Sequence, residues 1–161
     1  MAALVFAVAI GARISTTIPG SPVPQSAQTL AIVLGAALLG ARDASIGMLA
    51  YLALGAIGLP VFADGGAGAS HLIGPTAGYL GGFVAAGWLV GRAADRGQFR
   101  SLPVGFAVAL GGHAVILALG WGWLAGTAGP AGAFEAGVAP FVWGGIVKSA
   151  IAAASVFLVR R

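Results

Sequence analysis

Apolar stretches longer than about 18 residues recur along the whole chain, and a helix of that length has the reach to cross the hydrocarbon core of a bilayer. Only 7% of the 161 residues are charged, where a soluble domain carries about a quarter. Mean hydropathy is +1.00. The fold class that follows is an all-α, multi-pass integral membrane protein. The chain has no Cys, which excludes a disulfide framework and a thiolate metal site. The sequence pI of about 10.8 does not point to nucleic acid, because the basic residues form no patch. The N-terminus lacks a basic head followed by a cleavage site, so the first apolar segment is expected to be retained.

Breakers divide the chain into six predicted helices within a single membrane domain, 1–161, at about 2–18, 28–40, 44–59, 72–91, 103–124 and 138–159. The second is too short to span, reaching about 20 Å against a ~30 Å core. The Pro-rich "PGSPVPQSA" before it is therefore expected to dip inward under cover of protein. Arg42, then Arg92, Arg96 and Arg100, then Arg160 and Arg161 fall in alternate loops, while loops 19–27, 60–71 and 125–137 hold no Lys or Arg. The positive-inside rule places both termini and the arginine loops in the cytoplasm. Trp121, Trp123 and Trp143 then lie at the outer interface and Trp88 near the inner one; Trp121 and Trp123 read as belt anchors.

Two basic residues, Arg13 and Lys148, fall inside predicted helices, where a charge costs on the order of 3 kcal/mol. Asp43 and Asp95 are expected inside and Asp64 and Glu135 outside, so neither cation has an acidic partner within the membrane. Each can snorkel to the interface; alternatively an external anion or polar ligand completes the site. Lys148 shares a helix face with Phe141 and Gly144 or Gly145, which leaves room beside it. His113 has no second His or carboxylate nearby, reads as a packing histidine, and gives no metal site. His71 reads as a loop residue at the outer surface.

In "HLIGPTAGYLGGF" Pro75 suits a first helical turn, where its missing N–H is no loss. Gly74, Gly78, Gly82 and Ala86 recur every four residues, a small-residue face for close helix approach. Thr76, Tyr79 and Phe83 lie on another face, beside amides that a ligand carbonyl or carboxylate would satisfy. A second ladder, Ala3, Ala7 and Gly11, marks a packing face within the bundle or for another membrane protein.

The segments "GSPVPQSAQTLAIVLGAALLG", "YLALGAIGLPVFADGGAG", "LIGPTAGYLGGF" and "PFVWGGIVK", in this order and spacing, resemble the BioY family, the biotin-binding S components of energy-coupling factor (ECF) vitamin transporters. The resemblance covers about residues 10–155. It implies an S-component-like six-helix bundle that captures biotin from outside and works with a transmembrane coupling subunit and two cytoplasmic ATPases. ATP would be used only by those partners, and no cofactor is expected on this chain. Some members of the family are reported to work without the ATPase module. By the resemblance Ala3 and Ala7, with Gly11 next in their ladder, meet the coupling subunit. The ligand pocket would use Lys148, Asp64, the Gly74-to-Tyr79 motif with Thr76, and Gln28 with Thr29. One departure stands out: where the family pattern reads P-F-x-P-G-D-x-x-K, Trp143 replaces the second Pro and Gly145 replaces the Asp.

Biotin would need hydrogen-bonding groups for its ureido head, apolar walls for its ring and a cation for its carboxylate. Lys148 or Arg13 is expected to meet the carboxylate or a ureido oxygen, with Tyr79, Phe83 and Trp143 as wall candidates. The chain has no P-loop and no carboxylate predicted within the membrane to couple an ion, so energy must come from a partner. An S component for another vitamin is the nearest rival. A membrane enzyme would need a motif such as H-E-x-x-H or G-x-S-x-G, which is not present.

Overall fold

A computed structural model describes residues 1–160; Arg161, counted above with the arginine loops, lies outside the described residues. The chain forms helices α1 (Ala2–Arg13), α2 (Gln28–Leu39), α3 (Ala41–Ala56), α4 (Ala77–Asp95), α5 (Leu102–Gly137) and α6 (Val142–Val159). A two-residue antiparallel hairpin, β1 (Ser15–Thr16) with β2 (Gln25–Ser26), joins α1 to α2.

Several helix ends differ from expectation, each for a local reason. Helix α1 stops at Arg13 rather than near Ile18, because Ile14–Thr17 is a nearly continuous β-branched run that pairs as a strand. Helix α3 ends at Ala56, four residues before Pro60, since Gly58 takes φ 105° and residues before Pro avoid helix. Helix α4 begins at Ala77, not Leu72, because a 3₁₀ turn at Ala69–Leu72 and the Gly74–Pro75 turn use up the approach. It then runs on to Asp95 and stops before Gly97 in the left-handed region. Helix α6 begins at Val142 rather than Val138, after a 3₁₀ turn holding Pro140.

The largest difference is in α5. Helical structure was expected to end near Leu124, with a loop over 125–137. Instead it continues to a break at Gly129 (φ 72°, ψ 160°), and a second helical segment runs to Gly137. Pro130 follows the break, where its missing N–H suits a new first turn. The Trp121 indole donates to the Pro130 carbonyl at 3.0 Å and ties the segment back.

Helix α2 is short but central, and it packs on α1, α3, α4, α5 and α6. Ile32, Val33, Ala36 and Ala37 are fully buried along it. The most extensive pairing is α4 on α5. There the glycine ladder acts as expected at two of its rungs: a Cβ at Gly78 would run into Leu119 and Trp123, and one at Gly82 into the Ile116 backbone. Large apolar side chains such as Phe6, Ile10, Leu49, Trp88, Val147 and Leu158 point outward and give the bundle an apolar exterior.

One end of the bundle gathers five of the six described arginines. Arg160 donates to the carbonyls of Ala37 (2.7 Å), Leu38 (3.3 Å) and Ala94 (3.2 Å), capping the carboxyl ends of α2 and α4. The Asp95 carboxylate accepts from the Ala41 amide at 3.1 Å, at the amino end of α3. Arg42, Arg92, Arg96 and Arg100 are carried by the helix ends and turn at this same end.

Candidate functional site

At the opposite end, a cavity of about 370 Å³ lies between the amino-terminal turns of α2, α4 and α6 and the middle of α5. Its size is that of a small-molecule site. The hairpin side contributes Pro22, Val23, Pro24 and Ser26; the segment between α3 and α4 contributes Phe62, Ala63, Asp64, Gly66, His71, Pro75 and Thr76. Helices α4 and α5 supply an apolar wall of Tyr79, Leu80, Phe83, Ile116 and Leu117. Phe141, Gly145 and Lys148 line it from the α6 side.

Lys148 sits in this wall, half-buried. Its ammonium donates to the Ser26 carbonyl at 2.5 Å and to Thr29 Oγ1 at 3.3 Å. An ammonium has three protons, so one remains for a ligand. Among the described residues no carboxylate pairs with it. Gln28 is also in the wall but is committed within the protein. Its amide nitrogen donates to the Tyr51 hydroxyl at 2.5 Å, its oxygen accepts from Ser26 Oγ at 2.8 Å, and Tyr51 in turn donates to the Val61 carbonyl at 2.8 Å. This chain of bonds fastens the α3–α4 segment to the start of α2.

Asp64 lines the mouth in the left-handed region, with φ 54° and ψ 24°, a conformation that short polar side chains tolerate. Its carboxylate accepts from Ser15 Oγ at 2.5 Å, linking the segment to β1. Thr76 lines the cavity from the residue just before α4. Tyr79 presents its ring to the wall, while its hydroxyl donates to the Gly137 carbonyl at 2.8 Å. That ring fits only because Gly120 has no side chain beneath it.

Four sequence candidates stand elsewhere. Arg13 is outside the wall; its guanidinium donates to the Pro60 carbonyl at 2.7 Å and clamps the end of α1 to the α3–α4 segment. Gly74 is also outside the wall, its carbonyl accepting from the Trp123 indole at 2.9 Å, while its neighbour Pro75 lines the cavity. Trp143 is 76% exposed and points away. It is two residues from Gly145, about 200° around the helix, so with Gly145 inward Trp143 must face out, and Phe141 takes the wall position. Gly11 does not join Ala3 and Ala7 on an outer face. A four-residue ladder drifts about 40° per step on a helix of 3.6 residues per turn, and Gly11 ends up buried against the backbone of Ala27 and Gln28. Ala3 and Ala7 remain exposed.

The cavity also contains two residues whose roles the sequence did not reveal. His71 stacks on Phe62 with ring centroids 5.5 Å apart. His113, expected as packing, is buried in the α5 wall beside Gly145 and hydrogen-bonded through Nδ1 to Ala109 and Ser149. The two lie 42 positions apart in sequence, and no spacing rule connects them. The arrangement offers one free ammonium proton, a carboxylate at the mouth, two imidazoles and an apolar channel between them. It suits a small ligand with a polar head, an apolar body and few charges.

Known proteins resemble this chain in sequence and shape. The model of the BioY family matches residues 1–161. A probable biotin transporter BioY of Pyrococcus horikoshii is 40% identical over 143 residues, covering 89% of this chain and 83% of that protein. The biotin transporter BioY of Thermotoga maritima is 37% identical over 147 residues, covering 91% and 85%. The crystal structure of the S-component for biotin from an ECF-type ABC transporter matches with a TM-score of 0.87 at 25% identity, over 99% of this chain and 87% of that one.

Proposed function

The chain belongs to the BioY family, and from that premise we propose that it captures biotin in the cavity described above, as the substrate-binding S component of an ECF-type transporter. The observation that carries this reading is Lys148, a cation with a spare proton in the wall of a mostly apolar cavity. Lys148 donates to an oxygen of the ligand, carboxylate or ureido. Phe83, Tyr79, Leu117 and Phe141 enclose the bicyclic body, and Asp64 and Thr76 stand at the mouth.

The protein sits in the cell membrane with six passes. The arginine-bearing end, where Met1 and Arg160 also lie, faces the cytoplasm, and the cavity opens outward. The exposed Ala3–Ala7 face of α1 meets the transmembrane coupling subunit, and two cytoplasmic ATPases supply the energy. The chain does no chemistry on its ligand. Gly145, in place of the aspartate of the family pattern, supports one second reading, an S component for a different vitamin.

Titration of biotin into the purified protein, followed by tryptophan fluorescence or calorimetry, tests the proposal. Saturable binding at submicromolar biotin is expected. No saturation in that range would turn the assignment toward another vitamin.

A further inference from the structure

We propose that Nε2 of His113 accepts a ureido N–H of biotin, which assigns the bicyclic head to the α5–α6 wall of the cavity. The inference rests on the biotin reading above and adds a residue that recognises the ligand.

The hydrogen bonds fix the ring's tautomer. His113 Nδ1 lies 3.1 Å from the Ala109 carbonyl and 3.0 Å from Ser149 Oγ. A carbonyl can only accept, and the Ser149 hydroxyl already donates its proton to the Gly145 carbonyl at 2.7 Å. Nδ1 therefore carries the proton of the neutral ring, and Nε2 keeps a bare lone pair. That Nε2 is buried and has no partner in the protein, although His113 as a whole is only 5% exposed and forms part of the cavity wall. A buried acceptor without a donor is destabilising until one arrives.

Biotin's own chemistry selects which part of it can help. In its ionised form it has two hydrogen-bond donors, both ureido N–H groups; the carboxylate, the ureido carbonyl and the thioether only accept. Only the ureido ring can satisfy Nε2. A urea edge presents N–H beside C=O, and His113 and Lys148, an acceptor and a donor, both belong to the cavity wall. Gly145 adjoins this imidazole. A Cβ there would stand 3.6 Å from His113 Cβ and 3.8 Å from Cδ2, so a larger side chain would lie over the imidazole. With glycine no side chain from this position stands over the ring, and a small shift of the wall opens the enclosed Nε2 to the ligand.

The experiment compares biotin with an analogue methylated on both ureido nitrogens, titrated into the purified full chain. The unmodified protein is expected to prefer biotin by tenfold or more. His113→Ala is expected to bring that preference close to one, and His113→Gln, whose amide oxygen still accepts, to keep part of it. A purely packing role for His113 would weaken both ligands alike, and an unchanged ratio would overturn the assignment. Absence of biotin binding in the unmodified protein would remove the biotin reading and this assignment with it, whereas binding with an unchanged ratio removes the assignment alone. A measurement on the unmodified chain avoids dependence on the variants' folding. In ¹⁵N-histidine-labelled protein, with resonances assigned against His71→Gln, the His113 Nε2 signal should move on saturation with biotin. A signal that stays in place under saturation would equally overturn it.

Discussion

The Lys148 ammonium and the Ser26 carbonyl, 122 positions apart in sequence, meet at 2.5 Å. The contact joins the middle of α6 to the end of the hairpin that leads into α2, so the cation that faces the cavity also holds one of its walls. A half-buried charge is tolerated here because a backbone and a hydroxyl oxygen solvate it.

Lys148→Met should weaken biotin binding at least tenfold, the scale of one charge-assisted hydrogen bond. Lys148→Arg should not restore it fully, since a planar fork does not fit a site built for a compact ammonium. Calorimetric titration of the purified variants checks both, and unchanged affinity in Lys148→Met would end the ligand-binding role given to it.

Tyr51 is fully buried and bridges Gln28 to the Val61 carbonyl. Tyr51→Phe keeps the ring's edge-to-face contact with Phe62 but leaves an amide N–H and a carbonyl without their partner. A loss of about 1–3 kcal/mol of stability is expected, read as a lower melting temperature in detergent. The α3–α4 segment should also become more sensitive to protease.

Glycines that look alike in the sequence should respond oppositely to alanine. At Gly120 a Cβ would enter the Tyr79 ring, and Gly120→Ala should cost about 1–3 kcal/mol by overpacking. At Gly122 nothing lies within 4 Å, and Gly122→Ala should be neutral or stabilise the helix by up to about 1 kcal/mol. Melting curves of the two variants side by side settle this, since equal effects would contradict the packing described for α4 and α5.

On α1, binding and coupling should separate. Ala7→Trp enlarges the exposed face and should reduce co-purification with the coupling subunit, with biotin affinity within about twofold of the unmodified protein. Gly11→Val, buried against Ala27 and Gln28, should instead lower stability by about 1–3 kcal/mol. The second effect should appear without any partner present.

The sequence revealed most where physics acts locally. Apolar run length, Gly and Pro breakers and the alternation of arginine loops carried the helical class and the grouping of cations at one end. Lys148 stood out because a charge in an apolar run is costly wherever it folds. Trp143 and Gly11 misled for a shared reason: facing depends on angular position around a helix, and an error of a few residues in a helix start, or a 40° drift per ladder step, turns a side chain from wall to exterior. Arg13 misled because its partner, the Pro60 carbonyl, is a backbone atom 47 positions away, which no side-chain pattern announces. His113 became informative only with Ala109, Ser149 and Gly145 placed around it.

The break at Gly129 has a mechanical consequence. Unbroken, the 36 residues of α5 would extend about 54 Å, far more than a bilayer core requires. Because the chain turns there and continues as helix to Gly137, this segment is built on helical backbone bonds and held by Trp121 and by Tyr79 of the cavity wall. Residues 57–76, which line the cavity from another side, are tied by side-chain bonds from Tyr51, Arg13, Ser15 and Trp123 and by the Gly68 amide to the Gly55 carbonyl. Irregular backbone thus lies on the ligand while the second helical segment stands beside it, and amide hydrogen exchange should run faster across 57–76 than across 130–137 in the empty protein, with biotin slowing 57–76 far more.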